Sequence, residues 1–210
     1  ALIGNNHIGK YNTASGYSAM RRNVSGDGNT ASGSYALSNN TSGFSNTANG
    51  CYALYSNTTG QGNTAVGDSA LYSNTTGYGN MAVGLKTLYS NTTGRINTAA
   101  GDSALYKNIS GSENAAYGNR ALFNNTTGAS NVAVGGYALY KNTTGLNNTA
   151  IGRETLYENT NGSQNVAVGW KAGIVGNYNN TVCLGYDVAA SASDQVRIGN
   201  TLTSSIGGFA

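Results

Sequence analysis

The 210-residue sequence has no proline, a single histidine (His7), two cysteines and only 9% charged residues. Each shortage removes a class of protein. Coiled coils and charge-driven disordered chains lean on Glu and Lys, and 11 basic with 8 acidic residues supply neither. Collagen needs Gly at every third residue together with abundant Pro. No apolar run approaches the roughly 18 residues that cross a bilayer, so no membrane insertion is expected of this segment. The basic residues are strung singly along the chain, apart from Arg21 and Arg22. Nucleic-acid binders gather positive charge on one face, so nucleic acid is not an expected partner. The chain opens at Ala1 in mid-pattern, as a fragment or processed form does, so the lack of a signal carries no weight on location.

What fills the chain instead is 31 Gly, 31 Asn and 23 Thr. They are not scattered. Asn recurs at 12, 29, 46, 63, 80, 97, 114, 131, 148 and 165, always 17 residues apart. Nine units fill 12–164, and one reads Asn-Thr-Ala-Val-Gly-Asp-Ser-Ala-Leu-Tyr-Ser-Asn-Thr-Thr-Gly-Tyr-Gly over 63–79. Counting that Asn as position 1, an Ala at position 3, a Gly at 5, an Asn at 12 and a Gly at 15 occur in all nine units. Position 9 is Leu in eight units and Met20 in the first.

Seventeen residues are too few for a helical repeat or a leucine-rich unit. They suit one coil of an all-β parallel β-solenoid (β-roll) with two short strands and two tight corners. Positions 1–4 and 8–10 are expected as strands. The Gly at position 5 and the Asn-Thr-Thr-Gly of positions 12–15 are expected as turns, because Gly and Asn tolerate positive φ. Coils stacked about 4.8 Å apart place each Asn over its counterpart, in hydrogen-bonded ladders of the cross-β kind. The expected organisation is partial coils over 1–11, nine repeats over 12–164, shorter terminal coils over 165–199, and a segment over 200–210 leaving toward a following domain. The spacing shortens from Gly169 to Gly185 (16 residues) and on to Gly199 (14), as solenoid ends differ from their middles.

Strand alternation turns the invariant Ala of position 3 inward, opposite the Leu ladder, and positions 2 and 4 outward. Position 4 becomes apolar along the chain: Val66, Val83, Ala100, Tyr117, Val134, Ile151 and Val168. An outward apolar stripe marks an interface, and self-association is expected through it. Position 10 carries Tyr55, Tyr72, Tyr89, Tyr106, Phe123, Tyr140 and Tyr157. Such a row could stack on sugar rings as a ligand-binding surface, or pack against a neighbouring chain or corner loop with its hydroxyls in water.

The units Asn63–Gly79 through Asn148–Gln164, followed by Val196-Arg-Ile-Gly-Asn-Thr and Ser205-Ile-Gly-Gly, resemble the repeat shafts of phage tail fibres. They also resemble the head repeats of trimeric autotransporter adhesins. The 14-residue spacing at the end is similar to the adhesin head period, and the 17-residue middle departs from it by a longer corner. The resemblance implies a left-handed β-roll and a homotrimer of parallel chains. It implies a structural or adhesive role outside the cell, on a virion or a bacterial surface, with a cell-surface glycan or protein as receptor. Tail fibres with this ending often continue into a self-cleaving trimerisation chaperone.

Other chemistry is weakly supplied. The Asn-Thr-Thr sequons build the corner, so glycosylation is not expected. Cys51 and Cys183 lie nearly eight coils apart, about 37 Å along the rod, too far for a disulfide. Two thiols and His7 make no metal site, and no cofactor is expected. Asp68 and Asp102 share position 6 two coils apart, about 9.6 Å, at the outer edge of an inverting glycosidase pair. They read more simply as solvated corner residues, so no catalytic residue is assigned. The two alternatives to a fibre segment are an ice-binding solenoid, from the Thr at positions 2, 13 and 14, and a tailspike-like polysaccharide-degrading enzyme.

Overall fold

A computed structural model describes residues 9–173 and 176–200. Its twelve three-residue strands are β1 (Thr13–Ser15), β2 (Thr30–Ser32), β3 (Thr47–Asn49), β4 (Thr64–Val66), β5 (Met81–Val83) and β6 (Thr98–Ala100), then β7 (Ala115–Tyr117), β8 (Val132–Val134), β9 (Thr149–Ile151), β10 (Val166–Val168), β11 (Val182–Leu184) and β12 (Val196–Ile198). All form one parallel sheet in sequential order. The register is the sequence repeat itself: Ala48 pairs with Ala65, and Ala65 with Ala82. The shortened spacing persists to the end, where Ala167 pairs with Cys183 and Cys183 with Arg197. The chain is therefore a parallel β-solenoid. The expected partial coils of 1–11 are described only from Gly9 onward, and the exit segment only at Asn200.

Among the described residues the expected second strand at positions 8–10 is absent. Three overlapping turns replace it, closed in one coil by Ala53 N–H to Gly50 O (3.3 Å), Tyr55 N–H to Tyr52 O (3.3 Å) and Asn57 N–H to Leu54 O (3.2 Å). Positions 7 and 9 lie in the left-handed region, as at Tyr52 (φ 56) and Leu54 (φ 52). A left-handed leucine costs about 1–2 kcal/mol, and it recurs in each coil from Leu37 to Leu156. The gain is geometric. A strand would send position 8 or 9 to solvent, whereas here Ala53 and Leu54 are both fully buried. The turns still bond between coils, with Leu54 N–H to Ala70 O at 3.0 Å and Ser56 N–H to Tyr72 O at 3.0 Å.

The core is a thin column built from the Ala of position 3, the Ala of position 8 and the Leu of position 9 in successive coils. At position 8, Thr87 and Thr155 enter it with their hydroxyls donating to Gly101 O (2.7 Å) and Gly169 O (2.6 Å). Beside it run two asparagine ladders. In one, the Asn97 backbone N–H and Nδ2 both donate to Asn80 Oδ1 at 3.1 Å, and Nδ2 also donates to Gly111 O at 2.9 Å. In the other, Asn108 Nδ2 donates to Asn91 Oδ1 at 2.8 Å and to the same Gly111 O at 2.9 Å. The carbonyl of the position-15 glycine thus ties both ladders together.

That glycine serves a different purpose from the one expected. Its φ is not positive; instead, a Cβ at Gly60 would sit 2.5 Å from Gly77 O and collide with Asn57 Oδ1. The residue is small because two coils and a ladder meet there. Positive φ at that corner falls on position 17, as at Gly62 (φ 63), Ile96 (φ 55) and Glu113 (φ 59).

Among the described residues Asn159 Oδ1 is buried with no hydrogen-bond partner; seventeen residues on, Gly176 stands where the earlier coils carry Asn. At β12 the inward position is Arg197 rather than Ala, and its Nη2 donates to Ser191 Oγ at 3.2 Å.

Candidate functional site: two outward columns

The outer face of the sheet follows from strand alternation. The Ala of position 3 is buried from β2 to β9, as is Ala167 in β10, and the neighbours at positions 2 and 4 point out. The position-4 stripe is exposed over most of its length: Val66, Val83, Tyr117, Val134, Ile151 and Val168 are each open to solvent, between 36% and 44%, and Ala100 is half-buried. Met81 and Val166 enlarge the same apolar surface from position 2, and Leu85 and Trp170 are exposed at position 6, past the corner glycine. A single column followed along the sequence does not single these four out. Toward the start of the chain the same columns are polar, with Thr13, Thr30 and Thr47 exposed beside Ser15, Ser32 and Asn49.

The aromatic column stands on the turn side. Tyr55, Tyr72, Tyr89, Tyr106, Phe123, Tyr140 and Tyr157 are all half-buried. Each stacks on the next with centroids 5.0–5.4 Å apart and planes within 18°. That spacing is the coil rise, so the backbone dictates the stack. From Tyr72 to Tyr140 each ring has a stacked neighbour on both faces, which leaves edges and hydroxyls at the surface; Tyr55 and Tyr157 at the ends have one stacked neighbour each within the row.

Position 7 adds rings that position 10 alone does not reveal. Tyr35 stacks on Tyr52 at 5.0 Å, and Tyr52 meets Tyr55 edge-on at 5.5 Å. Tyr17, at position 6 of the first unit, meets Tyr35 edge-on at 5.3 Å. The recurrence of Tyr at position 7, in Tyr35, Tyr52 and Tyr137, is the signal for the others in the sequence. This crowding takes water from the phenols: burial first, then the neighbouring phenols, pushes Tyr35 and Tyr72 above the ordinary tyrosine value.

Near the end of the row a shallow cleft of about 380 Å³ is lined by Tyr137, Arg153, Glu154, Tyr157, Glu158 and Lys171. Its charges are already paired: Lys141 Nζ lies 2.7 Å from Glu158, and Arg153 Nη2 lies 3.0 Å from Glu154. The hydrogen bond to Glu158 raises the Lys141 pKa.

The remaining candidates are separate. Asp68 and Asp102 each accept a hydrogen bond from the following serine hydroxyl at 2.6 Å. Leu85 occupies position 6 of the coil between them. Cys51 and Cys183 are both free. Cys183 fills an inward Ala position, and burial raises its thiol pKa. Among the described residues no group of three or more His, Cys, Asp or Glu is placed to hold a metal; His7 lies outside them. No helix among them is long and apolar enough to cross a membrane.

No protein-family model and no curated protein sequence matches the chain.

Proposed function

We propose that the chain is a non-enzymatic segment of an extracellular fibre, the shaft or head of a phage tail fibre or bacterial adhesin. Three copies pack side by side and carry a receptor-binding surface for a cell-surface glycan or protein. The observation that carries this reading is the exposed apolar stripe from Val66 to Val168 on an unbroken parallel sheet. A coil whose interior is mostly Ala and one Leu buries little surface of its own, and an apolar outer column offers more to bury. The sequence resemblance supports trimeric, surface-attached use of such a rod. Receptor contact through the tyrosine row would be edge-on and hydrogen-bonded, since the ring faces are stacked.

Light scattering on the purified chain tests the assembly. A trimer is expected, and the double substitution Val134→Lys/Ile151→Lys should shift it to monomer while the β-rich circular dichroism is retained. A monomeric wild-type chain at working concentration overturns the proposal.

One observation favours a second reading, an ice-binding surface. Thr13, Thr30 and Thr47 form an exposed, regularly spaced hydroxyl column. Thermal hysteresis at millimolar concentration decides it, and its absence ends the idea.

A further inference from the structure

The aromatic column carries a chemistry that the fibre reading leaves unused. Ring contacts run unbroken from Tyr17 to Tyr157, none longer than 5.5 Å between nearest centroids, and Phe123 is the one member without a hydroxyl. The backbone hydrogen bonds of both sheet and turns hold the coils in register, so each phenol faces its counterpart in the next coil. Half-buried rings keep their edges at the surface, within reach of a diffusing oxidant.

We propose that this row is an oxidative modification site, at which a one-electron oxidant joins tyrosines of consecutive coils as dityrosine. In each staple two phenols lose one electron and one proton apiece, giving two phenoxyl radicals. The radicals couple through a ring carbon ortho to each oxygen, forming one C–C bond. The hydrogen on each coupled carbon then moves to its phenoxyl oxygen and restores the two phenols. Two electrons and two protons leave in all, the electrons going to the oxidant and the protons to water. Held neighbours react at high effective concentration, and a ladder of nearly parallel rings lets a radical formed at one tyrosine pass to the next. The product is a rod whose coils are covalently stitched along one edge. Phe123 has no O–H to lose, so it divides the row into two stapled sections.

The test is photo-oxidation of the purified chain with a ruthenium sensitiser, persulfate serving as the two-electron acceptor that ends as two sulfates. Trypsin separates the partners, because Lys86, Arg95, Lys107, Arg120, Lys141 and Arg153 lie between them. Dityrosine fluorescence is expected, together with linked peptides two hydrogens lighter than their sum. The expected pairs are 23–86 with 87–95, 87–95 with 96–107, 121–141 with 154–171, and, across Arg21 and Arg22, 11–21 with 23–86. Tyr89→Phe keeps the stack and should remove the first two pairs. Phe123→Tyr places at position 10 the residue that six other coils carry, and should create a new link between 96–107 and 121–141. Tyr117 is an internal control: it is exposed on the strand face of the single chain, and it is read in the Val134→Lys/Ile151→Lys variant, where the proposed trimer does not cover it. Linking through peptide 108–120 at the same yield overturns the proposal. So do links whose yield grows with protein concentration, or a pattern that Tyr89→Phe leaves unchanged.

Discussion

The asparagine ladder makes its sharpest prediction through a change of one atom. In Asn97→Asp an oxygen replaces Nδ2, the donor that reaches Asn80 Oδ1 at 3.1 Å and Gly111 O at 2.9 Å. Oδ1 keeps its role, accepting from the backbone N–H and Nδ2 of Asn114. Asn97 is fully buried, so the new group faces two acceptors away from water. In the protonated acid, the single O–H can serve only one of them. Loss of one hydrogen bond costs about 1 kcal/mol. Ionisation removes that donor as well and sets a buried negative charge against two oxygens.

Desolvation and these oxygens both raise the acid's pKa in the folded state above the unfolded value of about 3.9. Below that value both states are protonated and the mutant is closest to wild type. As pH rises, the unfolded chain releases its proton first, so stability falls until the folded acid also ionises. The loss is about 1.4 kcal/mol for every pH unit that separates the folded and unfolded pKa values. A separation of about three pH units, ordinary for a fully buried carboxyl, removes about 4 kcal/mol by neutral pH. The total deficit is then about 5 kcal/mol at pH 7 against about 1 kcal/mol in acid. Denaturant titrations followed by circular dichroism at pH 3.5 and pH 7 measure it, with wild type run alongside. A deficit equal at both pH values, or below about 1 kcal/mol at pH 7, refutes the ladder as a buried donor–acceptor chain.

The two kinds of corner glycine should separate cleanly. Gly60→Ala drives a methyl into Gly77 O and Asn57 Oδ1, whereas Gly62→Ala has only its positive φ to contend with, nothing lying within 4 Å. Thermal melts should show about 3 kcal/mol or more for the first, from overpacking, and about 1 kcal/mol for the second. Leu105→Ala removes a fully buried side chain from the narrow column and should cost about 2–5 kcal/mol, read by the same melts. Under native conditions a thiol-alkylating reagent should label half-buried Cys51 well before Cys183, whose burial also keeps it protonated; peptide mass spectrometry over time reads the order.

Much of this is legible because a copied unit repeats one local decision nine times. The 17-residue register, the inward Ala and the outward positions 2 and 4 all follow from strand alternation and the recurrence of Asn and Gly. The apolar stripe is legible for the same reason. Positions 8–10 are not. Ala-Leu-Tyr reads locally as a strand, and nothing in three residues announces that leucine will adopt φ near +50. That choice is made by the column, which has room for the Ala of position 8 and the Leu of position 9 only if both turn inward.

The same division holds for the candidate site. Sequence determined that tyrosines would lie one above another, since equal spacing in a stacked coil leaves no alternative. Whether their faces would be open to a ligand or closed on each other was decided by the coil rise of about 4.8 Å, which brings parallel rings into contact. Sequence likewise determined that position 15 always holds a glycine, while the structure supplied the reason in the carbonyl and amide that crowd its missing side chain. Periodicity fixes which residues are neighbours. Only the packed coil fixes how far apart they stand and which of their atoms meet.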